Sequence, residues 1–598
     1  MHPQNAVVKK IFKSLEWLVD LRNKYVKQRP FVIILSILIG ITAGLVATVI
    51  KRAVHWTEYL LTNFFQPYAP NYLYFLYPVI GIGITILIVK YLIRQKVSEG
   101  IPNTLYAISK RHGNIRPHNL FSSIITSAFT VGFGGSVGLE GPTVATSAAW
   151  GSTFARLFRV GYKTKILLIG TGVAGSMAAI FQAPIAAIVF AIEVIMIDLT
   201  TASLIPLLFS SITAVLTSKF LMGETILIDY AVTEDYQFSD IPYFIILGVL
   251  LGLASVYYSR TYFGIARFFD RFNRGQKLLL GGAILGLLIF LLPPLYGEGY
   301  ETINNLINGR SSEVFENSFF YSLQDNAWIF AGFIAILFFL KIVAASLTLH
   351  IGGVGGIFAP TLFMGATGGF LFGNIVNKLG LGQVSEGNFT LVGMAGMLSG
   401  VLYAPLTAIF LIAELSKGYA LFVPLMITSL ISFVTAGYFI QNSIYSLQLA
   451  RKGELLTHHA DDNVLKMMNL KKEIESDFSI IHPDQSLGDL IVVVANSKRN
   501  IFPVIDDEKE FKGMVFLDSI RPIMFQKEKY DEIHVHDLMV SPLDHIEYRD
   551  KMDVVMKKFE KTGAWNLPVL KYGRYIGFVS KSKLFTNYRE LLREFSDR

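Results

Sequence analysis

The sequence predicts an all-helical domain that crosses a membrane many times, followed by a small α/β domain, and three observations lead there. Of 598 residues, 52% are hydrophobic and only 16% charged, with mean hydropathy +0.47, outside the range of ordinary soluble domains. Charge-free stretches recur that are long enough to cross a bilayer core, which takes about 20 helical residues. Those stretches stop near Ile440, beyond which short strands alternate with helical pieces.

The elements follow in order. Residues 1–30 form a basic leader in which Lys9, Lys10, Lys13, Arg22, Lys24, Lys27 and Arg29 stand against two acids. The positive-inside tendency places such a segment in the cytoplasm. The net charge of +8 is then a topology signal, and no nucleic-acid partner is expected. Phe31–Ile50 is the first candidate span, too long and too far behind the leader for a cleaved signal peptide. Leu73–Val89, Leu204–Thr217, Ile241–Tyr258, Leu278–Leu295, Trp328–Leu349 (interrupted only by Lys341) and Phe422–Ile440 follow. A membrane domain is therefore expected over 31–450, with the lipid bilayer as its surroundings. Residues 451–477 read as a solvated linker helix and 478–598 as the second domain. The chain has no cysteine, which excludes disulfides and thiolate metal sites.

The membrane domain repeats itself. "GGSVGLEGPTVATSAAWG" (134–151) aligns with "GGVGGIFAPTLFMGATGG" (352–369) at an offset of 218, and "GVAGSMAAIFQAPIAAIVFAIE" (172–193) with "GMAGMLSGVLYAPLTAIFLIAE" (393–414) at 221. Small-residue helix packing also favours glycine and alanine, but packing alone does not keep register over forty residues. Two related halves are expected, about 31–218 and 240–450, with a substrate site where they meet.

Three stretches share one design: "SEGIP" (98–102), "GLEGP" (138–142) and "GIFAP" (356–360). Each places small residues before a proline that enters an apolar helical run, and proline is favoured at the first helical position. Helix N-termini carry unpaired N–H groups and about half a positive charge. Several converging ends would bind an anion without a full cation, at the moderate strength that conduction requires. Glu140 is the anomaly, because an ionisable residue at membrane depth is a functional hypothesis by default.

These loops, the repeat, "PLYGEGYETI" (294–303) and the tail resemble the CLC family of chloride channels and proton/chloride antiporters, over roughly residues 30–590. The resemblance implies the CLC fold, an inverted repeat of tilted, broken helices, in homodimers with a chloride pore in each subunit. It implies a multi-pass protein of the bacterial inner membrane with both termini cytoplasmic. It makes Glu140 the gating carboxylate, which competes with chloride for the outer anion site. The anion-binding positions it implies are Ser98, Glu99, Gly100, Ile101, Gly138, Gly141, Ile357, Phe358 and Tyr445, the tyrosine through its hydroxyl.

Two departures bear on mechanism. The family's first loop reads Gly-Ser-Gly-Ile-Pro, whereas here Glu99 takes the serine position and Ser98 precedes it. An ionised carboxylate 4 Å from chloride is repelled by roughly 4 kcal/mol at an effective dielectric near 20. Glu99 is therefore expected to be protonated, turned toward the cytoplasmic vestibule, or avoided by a local shift that presents Ser98, and its expected role is a second acid gate or proton acceptor at the inner mouth. The other departure is at the inner proton path, where Glu193 is followed by Val194 in place of a relaying acid. Valine cannot relay, so the expectation leans to channel-like or weakly proton-coupled conduction. The alternative is an antiporter using Glu99 or Glu193 as inner acceptor, or a relative selective for fluoride or nitrate.

In the tail, "IFPVIDDEKEFKGMVFLDSI" and "NLPVLKYGRYIGFVSKSKL" repeat one strand-turn-strand unit and resemble a CBS pair, about 478–535 and 536–590. Such pairs hold adenine nucleotides with a Ser/Thr and an Asp three residues on. Here those positions carry Phe516 and Ser519, then Ser580 and Lys583, so no cofactor is expected. Other classes fare worse. An enzyme would want partners for its acid, and His350 stands alone, so no catalytic or metal residues are expected. "GSVGLEGPT" lacks the Lys-Ser/Thr ending of a phosphate loop.

Overall fold

The computed structural model describes residues 27–598 apart from 66–72, 96, 98–99, 196–199, 224–227, 229–234, 316–317, 319, 322–325, 452–467 and 597–598. Most of the basic leader, much of the expected linker helix, and both Ser98 and Glu99 therefore lie outside the described residues. The chain divides into two compact units, Met1–Gly453 and Glu454–Arg598.

In the first unit the helices α1 (Gln28–Phe65), α2 (Leu73–Leu87), α3 (Gly100–Lys110), α4 (Ser122–Gly132), α5 (Glu140–Leu157), α6 (Tyr162–Phe181), α7 (Pro184–Ile195) and α8 (Thr201–Met222) make the first half. The second comprises α9 (Ile241–Phe269), α10 (Arg274–Leu291), α11 (Tyr300–Ile307), α12 (Ala327–Ile351), α13 (Phe358–Lys378), α14 (Glu386–Leu402), α15 (Pro405–Leu415), α16 (Phe422–Phe439) and α17 (Ile444–Arg451). Among the described residues, nine helices are long and apolar enough to cross a membrane. Two of them, α6 and α13, are absent from the spans expected by hydropathy. With α10 they are the three least apolar of the nine, and these two are the most enclosed, built of Gly, Ala, Ser and Thr that let neighbouring backbones close in. At Gly151 in α5 an added Cβ would lie 2.1 Å from the Leu168 carbonyl oxygen, and at its repeat mate Gly369 in α13, 2.0 Å from that of Phe389.

The halves are tied by hydrogen bonds that equivalent residues exchange. Gly138 and Gly356 each donate to the other's carbonyl, at 2.8 and 2.7 Å, and pair antiparallel. Thr130 Oγ1 accepts from the Val354 amide and Thr348 Oγ1 from the Ser136 amide, both at 3.1 Å. The Glu193 carboxylate accepts from the Leu406 and Thr407 amides at 3.2 and 2.9 Å, and from the Thr407 hydroxyl at 2.7 Å. Glu414 returns the bond, accepting from Ile185 and Ala186 at 3.1 and 2.8 Å. Exchanges of this kind require a two-fold relation between the halves, and each carboxylate satisfies orphan N–H groups at the start of a helix in the other half.

The proline expectation needs one correction. Pro102, Pro142 and Pro360 are the third residues of α3, α5 and α13, not the first. The physics is unchanged, because the first four N–H groups of a helix lack intrahelical partners. The ladder begins directly afterwards: the Thr143 amide donates to Leu139 and the Thr361 amide to Ile357, each at 3.1 Å.

The second unit contains the same small fold twice. Strands β2 (Ile501–Ile505) and β3 (Phe511–Phe516) pair antiparallel with a register break after Val504. Strands β5 (Asn566–Lys571) and β6 (Arg574–Ser580) pair likewise, with the break after Val569. Each copy carries one amphipathic helix, α18 (Leu487–Asn496) or α19 (Met552–Thr562), over its own core. β4 (Ile546–Glu547) runs parallel to β5, and β1 (Ile474–Glu475) lies antiparallel to β6, giving the order β1-β6-β5-β4. Ile501, Met514 and Phe578 pack together across the two copies, and Phe511 stacks on Tyr575 at 5.8 Å. Helix α20 (Lys581–Ser596) follows β6.

Candidate anion site

Glu140 opens α5 and is completely buried. Its place follows from the glycines before it: a Cβ at Gly138 would lie 1.9 Å from Glu140 Oε2, and one at Gly356 would lie 3.3 Å from the same atom. The carboxylate thus rests against the paired loops, between the N-terminal ends of α5 and α13. Its Oε1 accepts from the Tyr300 hydroxyl at 2.9 Å, while Oε2 meets no donor in hydrogen-bonding geometry among the described residues, the backbone amides of Glu140 and Ala359 lying near the carboxylate. A buried, half-satisfied carboxylate beside two helix N-termini occupies the kind of place that suits a free anion.

The designated glycines close around it, while Tyr445, Glu193 and Val194 stand on other elements. Gly100 starts α3 so close to Gly141 that an added Cβ would lie 1.7 Å from the Gly141 oxygen. Ile101 follows, 2% exposed. Ile357 caps α13, and Tyr258 donates to its carbonyl at 3.1 Å. Phe358 opens α13 fully buried, its ring 5.1 Å from that of Phe181. Three helix starts therefore meet at one point. Tyr445 is buried in α17, which packs on α3 and α14. Glu193 and Val194 lie at the end of α7, where Val194 is buried and Glu193 is engaged at the start of α15.

Sequence reasoning missed a second set of residues. The turn before α11 carries Gly297, Glu298 and Gly299, and both glycines adopt positive φ, 57° and 88°. Lys341, buried on α12, donates to the carbonyls of Gly297 at 3.0 Å and Leu295 at 3.4 Å. Tyr296 donates to Gly132 at 2.9 Å. So held, Glu298 Oε1 accepts from the Leu139 amide at 3.0 Å, one residue before the buried acid. Lys51 donates to the Ile180 carbonyl at the end of α6, at 2.8 Å. Lys341 was visible as a cation in an apolar run. Glu298 lies in "PLYGEGYETI" (294–303), which the resemblance singled out, but its role gave no signal, because the residues it serves lie far away in sequence.

The match to known proteins agrees with this geometry. The chain matches the model of the voltage gated chloride channel family over residues 81–437, well over half its length, and that of the CBS domain over 535–590. It belongs to the CLC family of anion transporters, and its first unit is a multi-pass membrane domain. Among its relatives is the H(+)/Cl(-) exchange transporter ClcA of Vibrio cholerae, 29% identical over 451 residues, which span 72% of this chain and 92% of ClcA. A slow cyanobacterial Cl-/H+ antiporter of known structure superposes with a TM-score of 0.61 at 22% identity, over 71% of this chain and 98% of the other. A eukaryotic CLC transporter superposes with 0.60 at 19% identity, over 92% and 97%. The fold is the CLC fold, with a C-terminal α/β unit of CBS type.

Proposed function

We propose that this protein exchanges chloride for protons across the bacterial inner membrane, as a homodimer with one pore per subunit. The observation that carries the reading is the Glu140 carboxylate seated between the starts of α5 and α13, with one oxygen unpartnered. Ionised, Glu140 fills the anion's seat; protonated, it loses its attraction to the N–H groups there and yields the seat to chloride. One group thereby alternates between carrying a proton and admitting an anion. The relative named an exchange transporter supports exchange over the channel-like expectation. The leader's charge supports a cytoplasmic N-terminus, which places the turn at Glu298 on the outer side.

A channel-like second reading retains one specific support. Val194 offers no proton acceptor, and Glu193 is engaged with three donors from α15. Exchange then needs another inner acid, and Glu99 is the candidate. In the tail, Lys583 stands where nucleotide-holding pairs carry an Asp, which favours an assembly module over a nucleotide sensor. The test is purified protein in liposomes, with chloride and proton movement recorded together under a chloride gradient. Exchange predicts uphill proton movement locked to chloride, and chloride movement without protons overturns it. Glu99→Gln should abolish the proton component while sparing chloride.

A further inference from the structure

One buried arrangement is left over once the anion site is described. Glu298 lines a cavity of about 500 Å³, together with Lys51, His55, Glu58, Leu139 and Tyr300. On the cavity side stand exposed groups, His55 on α1 and Glu301 on α11. On the protein side Glu298 Oε1 binds the Leu139 amide, and Tyr300, two residues along the same turn, binds the Glu140 carboxylate. Glu298 thus stands between a solvent-sized space and the gate, in contact with the backbone that leads into it.

The charges facing Glu298 come from several elements. Lys51 and Glu58 face it from α1, and Lys341 from α12. Glu140 faces it from α5 and Tyr300 from α11. Tyr74, Tyr296 and Glu313 complete the titratable lining of the cavity. Two lysines therefore stand among three carboxylates, Glu58, Glu140 and Glu298. Lys341 is spent on carbonyl oxygens and on the Phe363 ring, 4.8 Å away, and Lys51 is spent on Ile180. Neither is hydrogen-bonded to Glu140, and the charge that acts most strongly on the gate is that of Glu298.

Resting on the exchange reading above, we propose that Glu298 is a positioning residue for the gate. It fixes the loop that ends in Glu140, and its charge sets the pH range over which Glu140 takes up a proton from the outer cavity. Two carboxylates this close repel, and the repulsion is relieved when one of them is protonated. No co-reactant is needed: a proton arrives from the cavity and leaves again as Glu140 returns to its seat.

The experiment uses the full chain in liposomes and measures chloride flux against external pH. Glu298→Gln keeps an acceptor for the Leu139 amide and removes the charge. The acid limb of the profile should move to lower pH by about one unit, with flux at the optimum still substantial. Glu298→Asp, which keeps the charge, should restore the wild-type limb. In the Glu140→Gln background the limb should be gone, with or without Glu298→Gln. A wild-type limb in Glu298→Gln overturns the proposal, as does a displaced limb that survives in the Glu140→Gln background. Absence of coupled proton movement in the wild type overturns the exchange reading instead, a separate result from the same preparation.

Discussion

Glu140→Gln keeps the gate's shape and removes its titration. Proton movement should fall by about 100-fold or more, the scale of a lost positioned proton carrier, while chloride still flows; a paired chloride and pH electrode recording checks this. Glu193 makes the opposite case. Its bonds to α15 are structural, so Glu193→Ala should lower stability by about 2 kcal/mol, as expected for hydrogen bonds to a charged group. Thermal unfolding in detergent reads that loss, and whatever flux remains should keep its coupling. At this scale much of the site was legible. Glu140 announced itself as a lone acid among glycines, and Lys341 as a lone cation in an apolar helix. Thr130 and Thr348 were not legible, because each also bonds its own helix, to Thr126 and Ala344. A threonine in a helix is ordinarily explained by that local bond alone.

Helix starts and strand pairs carry the next set of consequences. Gly100 sets how closely α3 can approach α5, and its missing side chain is required by backbone oxygen rather than by a flexible neighbour. Gly100→Ala should therefore cost about 1–3 kcal/mol, as overpacking does, and lower the yield of folded protein in size-exclusion chromatography. In the tail, Arg499 grips Asp477 at 2.6 Å and Glu475 at 2.7 Å and covers the Phe478 ring at 4.8 Å. Its hydrogen bond holds the Asp477 carboxyl below the usual range. A carboxyl so depressed adds stability above its unfolded value of about 3.9, which is lost as pH falls through the folded value. Arg499→Met should thus make the tail more susceptible to limited proteolysis near pH 7. The difference from wild type should fade as the medium approaches pH 3, read with an acid-active protease. The repeat in the tail was readable from its paired Pro-Val strands, whereas the register break that falls at the same place in each copy was not. The helices α6 and α13 escaped hydropathy because enclosure by protein had replaced lipid contact, and small residues serve that better than apolar ones.

Over the whole molecule, the duplicated sequence blocks and the exchanged bonds describe one design. A site is built from backbone where two related halves meet, and an acid from one half sits in it. The blocks at 134–151 and 352–369 made the duplication legible, since a shared register over so many residues has few other causes. What they could not reveal was the contribution of the turn at 297–299, which repeats nowhere in the other half and reaches the gate only through folding. Simultaneous chloride and proton recording on reconstituted protein tests the central claim most directly. With Glu140 acting as both gate and proton carrier, a chloride gradient should drive protons uphill, and Glu140→Gln should abolish that movement while chloride continues. Uphill proton movement that persists undiminished in Glu140→Gln would contradict the account.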